Sequence, residues 1–114
     1  MLRAPTSSIT HVTVMTSEAA RPPIVHELKC WPRFFEAIAA GHKRHDLRRA
    51  YDRDFRVGDR LRLREFDPET RGYTGREQFV EVTYITSAQQ PCALSDSALH
   101  EDFCILSIAP VEHS

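Results

Sequence analysis

The sequence predicts a small α+β domain, built as a partly open β-barrel or curled mixed sheet with one or two packed helices. Three observations predict this class. The chain has 114 residues, enough for one domain. Its predicted strands outnumber its helices, and the best helix follows the first strand directly. Apolar residues make up 41% of the chain, the usual globular share, so a modest core is expected.

The domain is expected to span residues 24–110, preceded by a disordered N-terminal extension at residues 1–23. The extension is rich in Ser, Thr, Ala and Pro and lacks the apolar run of about 7–15 residues that a secretory signal needs. A short strand at Ile9–Met15 is the alternative for this segment. No membrane span is expected, because the chain contains no run of about 18 apolar residues.

Three scattered cysteines, Cys30, Cys92 and Cys104, argue against a disulfide framework and against a zinc knuckle. We interpret them as free thiols in a reducing compartment, so a cytoplasmic location is expected.

The first strand and helix are predicted at Ile24–Lys29 and Pro32–Ala40. In the strand, Val25 and Leu28 are expected to point into the core. The helix opens on a proline, which is tolerated in the first turn, and is followed by Gly41 as its C-terminal cap. Its apolar side is predicted to consist of Phe34, Phe35 and Ile38.

Three more strands are predicted further along the chain. Arg60–Phe66 alternates leucines with arginines, and Phe103–Ile108 closes the domain. Gln78–Thr86 is expected to place Val80, Val82 and Tyr84 on one face. The segment 67–75 between the first two is predicted to be a long hairpin loop, and a short helical turn is expected at residues 96–100.

Positive charge is concentrated in one segment, although the net charge of the chain is only −1. Residues 42–64 contain nine Lys or Arg and four acids, whereas residues 65–114 contain two cations and nine acids. A domain polarised in this way is expected to have a basic face that suits an anionic ligand.

The segment Gly41–Arg48 has the pattern Gly-x-Lys-x-x-acid-x-Arg. In an extended strand Asp46 and Arg48 share one face and Lys43 lies on the other, but a bend after Gly41 would bring Lys43 towards Asp46. Such a group can neutralise a phosphate and hydrogen-bond to a base edge. The alternative is a solvated charge run with ordinary surface ion pairs.

The arginines of the Arg60–Phe66 strand form a second candidate surface. They either pair with Glu77 and Glu81 of the following strand or form a surface that follows a phosphate backbone. The aromatic residues that can stack on a base, if exposed, are Trp31, Tyr51 and Tyr73.

No metal site and no cofactor are expected. His42 and His45 fall on opposite faces of a strand, so they do not converge with His26 and Asp46 on an ion. A nucleophilic Cys30 beside His26 is a further alternative.

The motifs in residues 26–86 closely resemble those of domain-of-unknown-function family 3850, in the ASCH/PUA-like superfamily. The matching text is HELKCWP at residues 26–32, the Gly-x-Lys-x-x-acid-x-Arg run, RDFRVGD at residues 53–59 and LREFDPETRGYTGRE at residues 63–77. The closing strand is similar to the family's final strand. This resemblance implies a PUA-like β-barrel with an RNA or nucleotide cleft near Gly41–Arg48, whose signature residues are Gly41, Lys43, Asp46 and Arg48.

The function expected from this resemblance is therefore an RNA- or nucleotide-binding module with a basic cleft. The ligand-binding residues expected are Glu27, Lys29, Trp31, Lys43, Asp46, Arg48, Arg62, Arg64 and Tyr73. Two alternatives stay open. The first is an interaction protein, such as a homodimer formed through the 67–75 hairpin.

The second alternative is a hydrolase of RNA or modified nucleosides, because some ASCH relatives resemble N4-acylcytidine amidohydrolases. In that case Lys43 would be the base or an electrostatic stabiliser, with Asp46 or Glu81 as its partner. Asp46 takes the place of the threonine that those enzymes use, which argues against the same activity.

Overall fold

The structure is a computed structural model that describes residues 21–111 of the chain. It consists of a single five-stranded sheet, strongly curled into a half-barrel, and two short helices. The elements are β1 (Val25–Cys30), α1 (Pro32–Ala39), β2 (His45–Arg49), β3 (Arg60–Asp67), β4 (Gly72–Ser87), α2 (Ser95–Ala98) and β5 (Phe103–Pro110). The expected α+β class with a curled mixed sheet is confirmed.

The strands follow the order β1-β3-β4-β5-β2 across the sheet. β1 and β3 are parallel, and the other three pairs are antiparallel. The chain therefore crosses from one edge strand, β1, through α1 to the other edge strand, β2. Because the sheet is curled, these two edges come close together.

The core lies on the concave face of the sheet, where α1 covers it. The buried apolar residues are Leu28, Cys30, Phe35, Ile38, Leu61, Leu63, Val80, Val82, Cys104, Leu106 and Ile108. Each large aliphatic side chain buried in this way contributes about 1.5–3 kcal/mol to folding. The alternation predicted for β3 is confirmed, because its leucines face this core and its arginines face outwards.

The orientation predicted for β1 is wrong at its first residue. Val25 is 56% exposed, and the strand instead buries His26, Leu28 and Cys30. Histidine in a strand is usually polar and outward-facing, but His26 is buried because the carboxylate of Asp59 hydrogen-bonds to its ring. Leu28 does face the core, as predicted.

The β3–β4 hairpin is tighter than predicted. Asp67 pairs directly with Gly72, so the loop expected at residues 67–75 is mostly strand. The pairing of β4 with β5 shifts register between Val82 and Tyr84. Because such an irregularity turns the following side chains to the other face, Tyr84 is exposed and Ile85 packs on the core, contrary to the predicted alternation.

Two predictions fall largely or wholly on residues that the structure does not describe. These are the disordered extension at residues 1–23 and its alternative, a strand at Ile9–Met15, and both stay predictions. Within residues 21–111, no helix has the length and apolar character needed to cross a lipid bilayer.

Candidate functional site

A hollow of about 370 Å³ lies where the edges of β1 and β2 approach each other and α1 begins. This volume is within the range of small-ligand sites. Its lining residues are Lys29, Cys30, Trp31, Phe34, Lys43, Asp46, Leu47 and Arg48. The structure thus brings five of the nine predicted ligand-binding residues to one concavity, which we call the hollow.

An ion pair on β2 forms one wall of the hollow. Asp46, only 8% exposed, accepts a 2.8 Å hydrogen bond at Oδ2 from Nε of Arg48. Both side chains are on the concave face, because they pair in register with the core residues Leu106 and Cys104. Within residues 21–111, the second carboxylate oxygen of Asp46 accepts no hydrogen bond, so it is available to a ligand.

Arg48 also joins the two edges of the sheet. Its Nη2 donates a 2.8 Å hydrogen bond to the backbone carbonyl of Lys29 on β1. The guanidinium is thereby held between β2 and β1 at the mouth of the half-barrel, with N–H groups left to donate to a ligand.

Lys43 reaches the hollow because the chain bends after α1. Gly41 adopts φ +81°, and the backbone amides of His42 and Lys43 both donate to the carbonyl of Ala37. The Lys43 ammonium lies 3.3 Å from Nε2 of His45. No ion pair within residues 21–111 involves Lys43, so its charge is not neutralised by a carboxylate.

Two exposed aromatic rings form the rim of the hollow. Trp31 is 53% exposed and Phe34 is 42% exposed, and their planes are nearly parallel, 18° apart, with centroids separated by 6.4 Å. The Lys43 ammonium lies 5.7 Å from the centroid of the Phe34 ring. Phe34 was expected in the core, and this expectation is wrong because its ring is exposed at the rim. Its spacing of three from Trp31, at the start of a helix, was the available signal.

Cys30 also lines the hollow but is poorly suited to attack a substrate. Burial, together with the nearby Asp46 carboxylate, raises the pKa of the Cys30 thiol to about 11. At neutral pH the thiol is therefore protonated, and the thiolate is the nucleophilic form. This weighs against the alternative of a Cys30 nucleophile.

The other predicted site residues lie outside the hollow. Glu27, Arg62, Arg64 and Tyr73 are on the convex face of β1, β3 and β4. Arg62 is held between two carboxylates, donating to Glu27 over 2.6 Å and to Glu77 over 2.7 Å. The cross-strand pairing considered for the arginine stripe is therefore present at Arg62, with Glu27 as its second acid.

Two further residues considered from the sequence are also distant from the hollow wall. Glu81 pairs in register with Arg60, and the two line a separate depression near the start of β1. Glu81 thus does not join Lys43 and Asp46. Tyr51 is exposed in the connection after β2 and does not line the hollow.

One family model, described as "Domain of unknown function (DUF3850)", matches residues 25–108. The chain belongs to this family. No curated protein is similar enough to count as a relative of the chain. Every residue lining the hollow lies inside the DUF3850 match, so the hollow is built entirely from the family's own region.

A second polar cluster, which the sequence did not reveal, is centred on Asp59 at the other end of the DUF3850 sheet. Asp59 is only 1% exposed, and its oxygens accept hydrogen bonds from the Arg21 guanidinium, the His26 ring and the backbone amides of Ile24 and Arg56. Burial opposes ionisation, but the bonds from Arg21 and His26 outweigh it and hold the pKa of Asp59 well below its usual range. Because these groups fully occupy the oxygens of Asp59, we interpret the cluster as structural.

Proposed function

We propose that the hollow binds one nucleotide of a single-stranded RNA, the function expected of an ASCH/PUA-like domain. A single observation carries the proposal. The hollow is bordered by two exposed aromatic rings and by the Lys43 ammonium, which has no carboxylate partner within residues 21–111. Its wall contains the ion pair between Arg48 and the nearly buried Asp46. Each of these features matches one part of a nucleotide.

The base stacks on the rim of the hollow. Trp31 and Phe34 expose large ring surfaces that would ordinarily be buried. Stacking of a base on such a ring contributes about 1–3 kcal/mol and tolerates any base, because every base has a π-face. The rim therefore supplies affinity without strong sequence preference.

The phosphate is neutralised by Lys43. Its ammonium lies beside the rim and has no carboxylate competitor within residues 21–111. The first turn of α1 begins at Trp31, so the partial positive charge of the helix N-terminus adds to the attraction for an anion.

The edge of the base or the ribose hydroxyls meet the β2 wall. The second oxygen of Asp46 accepts from an amino, imino or hydroxyl group, and Arg48 donates to a neighbouring acceptor. Asp46 is nearly buried, so a ligand that lacks a donor group would leave its second oxygen without a hydrogen bond. That loss costs binding energy. This wall supplies whatever base selectivity the hollow has.

The test is the salt dependence of binding to a fluorescein-labelled single-stranded RNA. Affinity should fall steeply between about 50 mM and 200 mM salt, with a log–log slope of about −0.7 for each phosphate contact. Lys43→Met should weaken binding and flatten the slope by about one contact. Arg60→Met, which removes the same charge far from the hollow, is the matched control and should leave both nearly unchanged.

Binding that does not respond to salt, or that is weakened equally by Lys43→Met and Arg60→Met, would contradict the proposal. The same preparations, assayed for turnover of N4-acetylcytidine and of RNA, address the hydrolase alternative. Of the two partners considered for Lys43 in that alternative, Asp46 shares the hollow with Lys43, whereas Glu81 lines a separate depression.

A further inference from the structure

We propose that the RNA strand does not end in the hollow but continues across the convex face of β1 and β3, so that the ligand is an oligonucleotide and not a free mononucleotide. This inference rests on the proposed function. It concerns four residues, Lys29, Arg64, Phe66 and Tyr73, which we call the outer strip.

The outer strip is a continuous row in which two adjacent rings are flanked by two cations. The Lys29 ammonium lies 4.3 Å from the centroid of the Phe66 ring. Phe66 meets Tyr73 edge to face at 5.2 Å, and the Arg64 guanidinium carbon lies 3.8 Å from the centroid of the exposed Tyr73 ring. Arginine planes and tyrosine rings are both surfaces on which unpaired bases stack.

The outer strip is contiguous with the hollow through Lys29. This residue lines the hollow, while its ammonium reaches over Phe66. Trp31 is two residues further along the same extended segment, hence about 7 Å away and on the same side. Arg64 is the register partner of Lys29 on the adjacent strand, about 4.8 Å away. A strand that stacks on Trp31 therefore passes directly onto the outer strip.

The charges beside the outer strip favour an anion at Lys29 over one at Arg62 or Arg64. Arg62 is saturated by Glu27 and Glu77, and Arg64 lies 3.7 Å from Glu27. Lys29 has no carboxylate partner within residues 21–111. The Lys29 ammonium is thus the cation most available for a phosphate, and Glu27 limits what Arg64 contributes.

We expect the RNA on this path to cover about four nucleotides, the short end of the range that small single-strand-binding folds cover. We therefore expect affinity to rise from ribonucleoside 5′-monophosphates to RNA dimers and tetramers, and to change little between tetramers and octamers. Equal affinity for monophosphates and tetramers would overturn the inference while leaving the proposed function intact. Binding of neither would overturn both.

Variants separate the two regions. Lys29→Met retains the aliphatic stem over Phe66, and Tyr73→Leu retains an apolar side chain on the hairpin. Tyr73→Leu should weaken tetramer binding about fivefold to tenfold and leave monophosphate binding unchanged. Lys29→Met should weaken tetramer binding to a similar extent and lower the salt slope of tetramer binding by about 0.7. Because Lys29 also lines the hollow, the comparison with monophosphates is made with Tyr73→Leu. Arg60→Met is again the charge-matched control.

A gain of affinity gives the sharpest test, because a damaged fold cannot produce one. Glu27→Gln removes the acid beside Arg64 and should strengthen tetramer binding about threefold, with no change for monophosphates. If Glu27→Gln and Tyr73→Leu both leave tetramer affinity unchanged, the strand does not cross the outer strip. Single-stranded DNA tetramers, run in parallel, report whether the path requires ribose.

Discussion

Two nearly buried aspartates lie at opposite ends of the same curled sheet and have very different surroundings. Asp59 accepts hydrogen bonds from four residues, and its oxygens are fully occupied. Asp46 accepts one hydrogen bond, from Arg48, and has an oxygen that no group within residues 21–111 occupies. The saturated aspartate fixes the chain, whereas the unsaturated one faces a hollow.

The difference in hydrogen bonding distinguishes a structural aspartate from a candidate ligand-binding aspartate more clearly than charge does. Both aspartates have an arginine partner, so a count of ion pairs would treat them as equivalent. What distinguishes them is unused hydrogen-bonding capacity beside accessible space. Buried polar groups are normally satisfied, so a nearly buried oxygen without a donor indicates a place for a ligand.

The largest expected effect comes from replacing Asp59, the aspartate whose oxygens are fully occupied. Asp59→Ala leaves the buried His26 ring and the Arg21 guanidinium without their acceptor, and should lower the free energy of unfolding by about 3–5 kcal/mol. Asp46→Ala should cost less than half as much, because the Arg48 guanidinium still donates to Lys29 and reaches solvent. Urea unfolding of both variants measures this. Equal losses would erase the distinction between the two aspartates.

Acidification should lower stability through Asp59 as well. The folded pKa of Asp59 lies below its unfolded value of about 3.9, so its contribution to stability is fully present above that value. The contribution is lost as the pH falls below about 4 towards the folded pKa. Urea midpoints measured from neutral pH to about pH 2.5 should fall at the acid end, and Asp59→Asn should show a shallower fall. Parallel pH profiles for the two proteins would contradict the assignment.

A substitution at the rim of the hollow, which Asp46 faces, should lower RNA affinity and leave the free energy of unfolding nearly unchanged. Trp31→Ala removes an exposed ring, so the free energy of unfolding should change by less than about 1 kcal/mol. The affinity for single-stranded RNA should fall by at least about fivefold, the low end of a lost base–ring stack of about 1–3 kcal/mol. Calorimetry and fluorescence anisotropy on one preparation give both numbers. Tyr51→Ala, at an exposed aromatic residue away from the hollow, is the control.

The smallest effect is expected at Arg62. Its two ion pairs are exposed, and such pairs contribute little to stability. Arg62→Met should therefore leave the free energy of unfolding nearly unchanged and change RNA affinity by less than about twofold. A large loss of binding would show that Arg62 leaves its carboxylates to contact the ligand.

Local pattern predicted much of the fold. The alternation of β3 and the proline at the start of α1 were visible in the sequence because they depend on neighbours along the chain. The orientation of β1 was not predicted, because burial of His26 depends on Asp59, 33 residues away in the chain. The hairpin and the reversal after Val82 depend on strand register, which no local pattern specifies.

The candidate site was predicted only in part, because some of its contacts also join residues that are distant along the chain. The Gly41–Arg48 motif indicated Lys43, Asp46 and Arg48, and the bend after Gly41 places all three at the hollow. The convex-face residues were grouped with them because local pattern does not show that the curl of the sheet places the outward-facing residues of β3 away from the hollow. The hydrogen bond from Arg48 to Lys29 spans the two sheet edges and was equally invisible.

That bond has a mechanical consequence. Separating two strands that are paired along the sheet breaks several backbone hydrogen bonds at once. The edge strands β1 and β2 are not paired in this way, and the Arg48 side chain bridges them beside the hollow. A ligand that draws the guanidinium away from the Lys29 carbonyl would loosen this bridge while leaving each strand's backbone hydrogen bonds intact. This side chain is therefore one of the contacts that hold the two edges of the half-barrel together, and a shorter residue at position 48 should loosen that contact while the backbone hydrogen bonds between the strands stay intact.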